Sequence, residues 1–183
     1  MKSIAFAGFL HVLFAASMLA AQEIPEMPKP QKEHEGRGQF VGEWESEMEA
    51  SFGPDQPKMK CKGTMKSRAL GGFWIVSETK SEMMGMPMMG LQTIGYDPES
   101  KQYVGTWVDS VMSHMWKYEG AVDETDKILT LEAEGPNFLT GKAAQFRDVY
   151  EFKTKDHLII SSSMQGEDGK WVTFMNGNAL RKK

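Results

Sequence analysis

Five methionines, Met83, Met84, Met86, Met88 and Met89, crowd the stretch "EMMGMPMMGLQTIGYDP". Thioethers are soft donors, and closely spaced methionines are what a Cu(I) site outside the cytoplasm requires. The same flexible apolar side chains, punctuated by glycine, could instead close the mouth of a barrel over a ligand or a core. No histidine or cysteine lies nearby in sequence to complete a metal set, which favours the packing role.

A second concentration of chemistry lies in "GTWVDSVMSHMWKYEG". In extended chain Trp107 and Asp109 share one face, and on the next run His114, Trp116 and Tyr118 share a face opposite Met115 and Lys117. Turned inward together, they make an apolar pocket with a few convergent polar groups, the profile of a small-molecule site. Turned otherwise, Asp109 caps a turn, His114 begins a strand and the aromatics fill a core. Asp109 and His114 within hydrogen-bond reach could also do acid–base work, as in a barrel isomerase or hydrolase. Arg147, in "FRDVYEF", is a candidate inward cation for a carboxylate ligand, although Phe146, Asp148, Tyr150 and Phe152 form an equally good inner set.

The candidate ligand-binding set is therefore Trp44, Met84, Met86, Met88, Trp107, Asp109, His114, Trp116, Tyr118 and Arg147. No catalytic residue is assigned, since there is no G-x-S-x-G motif and Cys61, on an inward strand position, reads as a small buried hydrophobe. No metal is assigned either: His34, His114 and His157 lack zinc or facial-triad spacing. No cofactor is implied, because Gly71-Gly72 joins two strands rather than opening a phosphate-binding helix.

The compartment is readable at the start of the chain. "MKSIAFAGFLHVLFAASMLAA" has a charged Lys2, an apolar run and small residues at Ala20 and Ala21, the layout of a secretory signal peptide over 1–21. Cleavage near Ala21, which removes His11 too, predicts a secreted or periplasmic protein with no lipid-anchor cysteine and no later membrane span. Losing Lys2 takes the formal charge from -4 to about -5, one positive charge fewer, and an acidic chain speaks against nucleic acid as a partner. The single cysteine, Cys61, leaves no internal disulfide, so the core must hold the fold.

The elements that would position these residues follow from periodicity. Residues 22–38 form a proline-rich lead-in with a short irregular or helical piece, and 39–183 a single β domain. "GEWESEMEAS" alternates glutamates with Trp44, Ser46, Met48 and Ala50, and "KMKCKGTMKSRAL" alternates lysines with Met59, Cys61, Gly63 and Met65. A hairpin of the two sets a glutamate ladder beside a lysine ladder and specifies register by charge and by burial. Further alternating runs separated by turn signals bring the total to about ten strands, without a helix long enough for a parallel crossover. The expected fold is an all-β antiparallel meander barrel, which leaves no exposed edge and encloses room for one small ligand.

Gly42-Glu43-Trp44 matches the G-x-W pattern opening lipocalin-like, or calycin-like, barrels, and Arg181 sits near the end of the last strand. That resemblance implies a structural role for Trp44 and Arg181, with the arginine across the indole at the closed end. "KPQKEHEGRGQFVGEW", "LGGFW", "MGMPMMGLQTIGYDPESKQYVGTWVDS" and "YEGAVDETDKILTL" further resemble a bacterial secreted family called domain of unknown function 1579. One departure is the run Gly36, Arg37 and Gly38 after Glu35, where that family tends to carry larger apolar residues. The leading expectation is a barrel binding a small, largely apolar molecule. The rivals are the Asp109/His114 enzyme, a Cu(I) protein on Met83 to Met89, and a purely structural or partner-binding domain, with oligomeric state open.

Overall fold

The computed structural model describes residues 26–51, 53, 57–83 and 85–183; the expected signal segment 1–21 and Met84 lie outside the described residues. A five-residue helix α1, Lys32–Gly36, runs into a 3-10 turn, Arg37–Phe40. Ten strands follow: β1 (Gly42–Ala50), β2 (Met59–Leu70), β3 (Trp74–Met83), β4 (Met86–Asp97), β5 (Gln102–Asp109), β6 (Trp116–Val122), β7 (Ile128–Pro136), β8 (Ala143–Thr154), β9 (His157–Gln165) and β10 (Trp171–Arg181). Each pairs antiparallel with its sequence neighbours, and β1 closes on β10, giving an all-β closed meander barrel. No helix among the described residues is long and apolar enough to cross a membrane.

The β1–β2 register follows from charge and burial acting together. Glu43 stands opposite Lys66 and Glu47 opposite Lys62, with ion pairs of 3.1 and 2.8 Å, while Glu49 reaches Lys58 at 3.5 Å. All are solvated, so their effect is on register rather than on stability, because a one-residue slip would turn Trp44 and Met65 outward.

One end of the barrel is sealed. Trp44 is 1% exposed, donates its indole N–H to the Phe40 carbonyl at 2.8 Å, and meets Phe152 edge-on. Arg181 pairs with Trp44 across the β1–β10 seam, its guanidinium 4.1 Å from the indole centroid. It also donates to the carbonyls of Gln39, Val41 and Lys155 and to the Asp156 carboxylate, so cation–π attraction and hydrogen bonding tie three chain segments together.

α1 and its 3-10 turn plug this end. Buried His34 accepts from the Gln31 N–H at 2.9 Å and meets Phe73 and Tyr96 edge-on. Arg37, buried although charged, is ion-paired to Asp126 in the β6–β7 turn and lies over Tyr103, 5.0 Å from the ring centroid. Gly36 suits this latch because a Cβ there would come within 2.9 Å of the Asp126 Oδ2. The run Gly36-Arg37-Gly38 thus carries the chain from the five-residue helix into the 3-10 turn and latches it through the Arg37–Asp126 ion pair.

Candidate ligand site in the barrel lumen

Barrel closure decides which strand face looks inward. The cross-strand sets Ser77–Gln92–Trp107–Trp116 and Leu129–Tyr150–Ile160–Gly177 run around the inner wall. The half nearest α1 is filled by Phe40, Trp44, Ile75, Ile94, Leu129, Phe152 and Leu158, each 5% exposed or less. Toward the opposite end the inner face changes character. Ser46, Met48, Cys61, Gly63, Thr79, Ser81, Ile160, Met164, Met175 and Gly177 are only half-buried although their strand positions face the lumen.

Wall asymmetry accounts for that access. β10, β1, β2 and β3 carry small inner side chains, so tightly set that a Cβ on Gly63 would lie 2.8 Å from the Ser81 Cβ and 3.1 Å from the Ser46 Oγ. On the opposite wall the two inward tryptophans lie along the sheet. A Cβ on Gly90 would fall 2.2 Å from the Trp107 ring, and one on Gly135 would fall 2.2 Å from the Trp116 ring. These glycines provide berths that keep both indoles from projecting across the lumen. Trp116 then stacks edge-on with Phe146 at 4.6 Å, and Phe138 and Phe174 extend the aromatic cluster toward the mouth.

Polar groups converge in the middle of the lumen. The Tyr118 hydroxyl donates to Asp148 Oδ2 at 2.5 Å, and the Ser162 hydroxyl to Asp148 Oδ1 at 2.5 Å. Beside them Gln92 donates its amide N–H to the Tyr150 oxygen at 2.7 Å. Burial pushes the Asp148 carboxyl above the ordinary aspartate range, partly offset by the two hydroxyl donors. Burial, then the neighbouring Asp148 charge, pushes the phenols of Tyr118 and Tyr150 up as well, so both stay protonated as donors. The residue Asp148 as a whole is half-buried, and its carboxylate is enclosed by the buried side chains of Tyr118, Tyr150 and Ser162.

The expected site residues divide on this geometry. Trp107, Asp109, Trp116 and Tyr118 occupy lumen-facing positions on β5 and β6. Asp109 is committed locally: Oδ2 accepts from the Trp107 indole at 2.9 Å, and Oδ1 accepts from the N–H groups of Val111 and Met112, closing the β5–β6 connection. His114 instead places Nε2 3.3 Å from the Glu134 carbonyl and its ring edge-on to Trp116. Each is held by other partners, and the two are not hydrogen-bonded to each other, so the acid–base pair expected of them is not assembled.

Three placements correct the reading from sequence. Arg147 faces outward, forked onto Glu132 at 2.6 and 2.8 Å and 3.9 Å over the Trp171 ring. It lies outside because its alternate neighbours Phe146, Asp148, Tyr150 and Phe152 pair with inner positions on β7 and β9. Trp44 lies in the sealed half beneath Phe40 and Phe152, where it is structural and offers no surface to a ligand. The methionine run is also split by strand parity: Met88 is buried inward, Met86 ends the β3–β4 hairpin 55% exposed, and Met89 points out at 61% exposed.

Sequence reasoning missed Gln92 and Ser162, and it named Asp148 and Tyr150 only as members of an alternative inner set, outside the candidate ligand-binding residues. An aspartate flanked at two-residue spacing by Phe146, Tyr150 and Phe152 was the available signal for Asp148. Gln92, on the same inner face as Ile94, gave a similar one within "LQTIGY".

The match to the family described as "Protein of unknown function (DUF1579)" covers residues 29–181. The chain belongs to that family. Among solved structures, DUF1579 here is similar to Rv2717c from M. tuberculosis, with 11% identity and a TM-score of 0.59 over 85% of this chain and 100% of that one. It is also similar to the S-type phycobiliprotein lyase CPES from Guillardia theta, with 16% identity and a TM-score of 0.52 over 84% of this chain and 99% of that one. At these identities the likeness is one of fold. No curated protein matches the chain.

Proposed function

We propose that this DUF1579 barrel binds a small, largely apolar molecule in the open half of its lumen, and that it does so outside the cytoplasm after removal of the N-terminal segment. The observation that carries the reading is Asp148 on the inner face, hydrogen-bonded to Tyr118 and Ser162, between one wall of small half-buried residues and another of aromatics. A buried carboxylate costs stability unless something offsets its desolvation. A site that orients a ligand's polar group is a reason to keep one there. Trp107, Trp116, Tyr118, Phe146, Met48 and Met164 supply the apolar contact, and methionine thioethers adapt their shape to a guest. The fold likeness to a phycobiliprotein lyase is compatible with a small ligand and assigns none.

The test uses N-phenyl-1-naphthylamine, a neutral apolar fluorophore. Saturable binding with quenching of tryptophan emission is expected for the wild type, and its loss is expected in Ser46→Phe, which puts a ring between Gly63 and Ala179. Binding unchanged in a folded Ser46→Phe variant places the probe elsewhere and removes the basis for a lumenal site. Export is tested separately by fractionating cells that express the full chain: a shortened product outside the cytoplasm supports it, and full-length cytoplasmic protein contradicts it.

A further inference from the structure

The lumen has a charge balance of one sign. Among the described residues, the ionisable acids on inward strand positions are Asp109 at the mouth and Asp148 in depth, and no lysine or arginine faces the open half. The two nearest guanidiniums belong to the sealed end. Arg181 is spent on Trp44 and Asp156, and Arg37 is held by Asp126 and Tyr103 below the floor made by Phe40 and Phe152. Lys62 and Lys66 of β2 and the Arg147 guanidinium stand on the outer face, paired with glutamates.

Around Asp148 the lining is rich in π faces: Phe146 precedes it and Tyr150 follows it on the same face of β8, Tyr118 reaches it from β6 across β7, and Trp116 stacks on Phe146. Aromatic faces attract cations through their quadrupoles, by about 0.5–2 kcal/mol each. Both Asp148 oxygens accept one hydroxyl and keep lone pairs for another donor. Tyr150 is 7% exposed and accepts from Gln92, so its own O–H remains to be donated to an acceptor. A carboxylate ligand would meet no cation here and would be buried beside a like charge.

Resting on the lumenal reading above, we propose that the molecule's polar end is an organic cation, an ammonium or amidinium group on an apolar body, seated against Asp148 within the aromatic wall. Asp109 at the mouth extends the field outward and draws such a cation in. Fatty acids and other apolar carboxylates are the class this lumen rejects. This reverses the expectation attached to Arg147, because the side chain that would have received an anion is on the outside.

The experiment compares decylammonium, 1-decanol and decanoate, three probes of matched chain and different head, by calorimetry on the purified protein. The expected result is decylammonium binding at least tenfold tighter than decanoate, with decanol between them. In Asp148→Asn, checked for folding by circular dichroism, the preference should collapse to within about threefold while decanol binding persists. Decanoate binding as tightly as decylammonium, or a preference that survives in Asp148→Asn, overturns the cation assignment and leaves the apolar lumen standing. Failure of all three to bind overturns both. The wild-type comparison decides the head-group preference even where the variant does not fold.

Discussion

At the end that carries α1, charge and aromatic rings are spent on closure: Arg181 on Trp44, Arg37 on Tyr103 and Asp126, and Phe40 between Tyr150 and Phe152. In the half toward the mouth, the same ten strands carry serines, glycines and methionines facing tryptophans, with a carboxylate whose neighbours are hydroxyls rather than a cation. The first arrangement pairs its charged groups with each other and with backbone carbonyls, leaves Nε and Nη1 of buried Arg37 without a hydrogen-bond partner, and fills its volume with side chains. The second leaves its inner positions half-buried and its carboxylate without a cation. A barrel needs one sealed end to be stable, and that frees the other half from the requirement to be a well-packed core.

Substitutions in the two halves should behave differently, and the largest effect belongs to the sealed end. Trp44→Ala should lose about 3–5 kcal/mol of stability, as expected when a fully buried aromatic is truncated, read as a drop in denaturation midpoint. Survival of the wild-type midpoint would mean that the sealed end is not what holds the barrel.

Next comes Arg181→Lys, which keeps the charge and loses the planar fork. It should cost about 1–3 kcal/mol because lysine cannot reach three carbonyls and Asp156 together. An unchanged unfolding curve would reduce Arg181 to an ordinary surface charge.

Asp148→Asn tests the open half with the opposite sign. The folded protein holds the Asp148 proton to a higher pH than the unfolded chain does, because burial raises this carboxyl. Stability attributable to it is therefore greatest below the unfolded value and falls as pH rises through the folded one. The asparagine variant should be more stable than wild type near neutrality, and the advantage should vanish toward acid. An advantage that grows toward acid would invert the assigned shift. The smallest effect is expected on the outer face: Arg147→Ala should change stability by about 0–1 kcal/mol and leave probe binding as it is.

Much of the barrel was legible because period-two alternation reports a half-buried strand without tertiary information, and the Glu43–Lys66 and Glu47–Lys62 pairs repeat that message on the outer face. Period two names two faces, however, and does not say which is inside. In β8 the sets Phe146–Asp148–Tyr150 and Arg147–Val149–Glu151 differ by one residue, and only pairing with Leu131 on β7 and Ser162 on β9 selects the first. The Asp109–His114 pair, for which turn capping by Asp109 was the alternative, was left open by the sequence for a different reason. Short connections favour local satisfaction, so Asp109 closes its own turn through Val111 and Met112 before any lumenal partner can claim it. Similarly, the methionine run looked like one feature in sequence, but the β3–β4 hairpin sends Met88 and Met89 to opposite faces.

The most direct test of the open half as a binding site is native mass spectrometry of the protein purified from its own source without added ligand. The account predicts a reproducible added mass of an organic molecule that is reduced or lost in Ser46→Phe. An added mass that is equally abundant in a folded Ser46→Phe variant, or a ligand-free wild type that also ignores N-phenyl-1-naphthylamine, would contradict it.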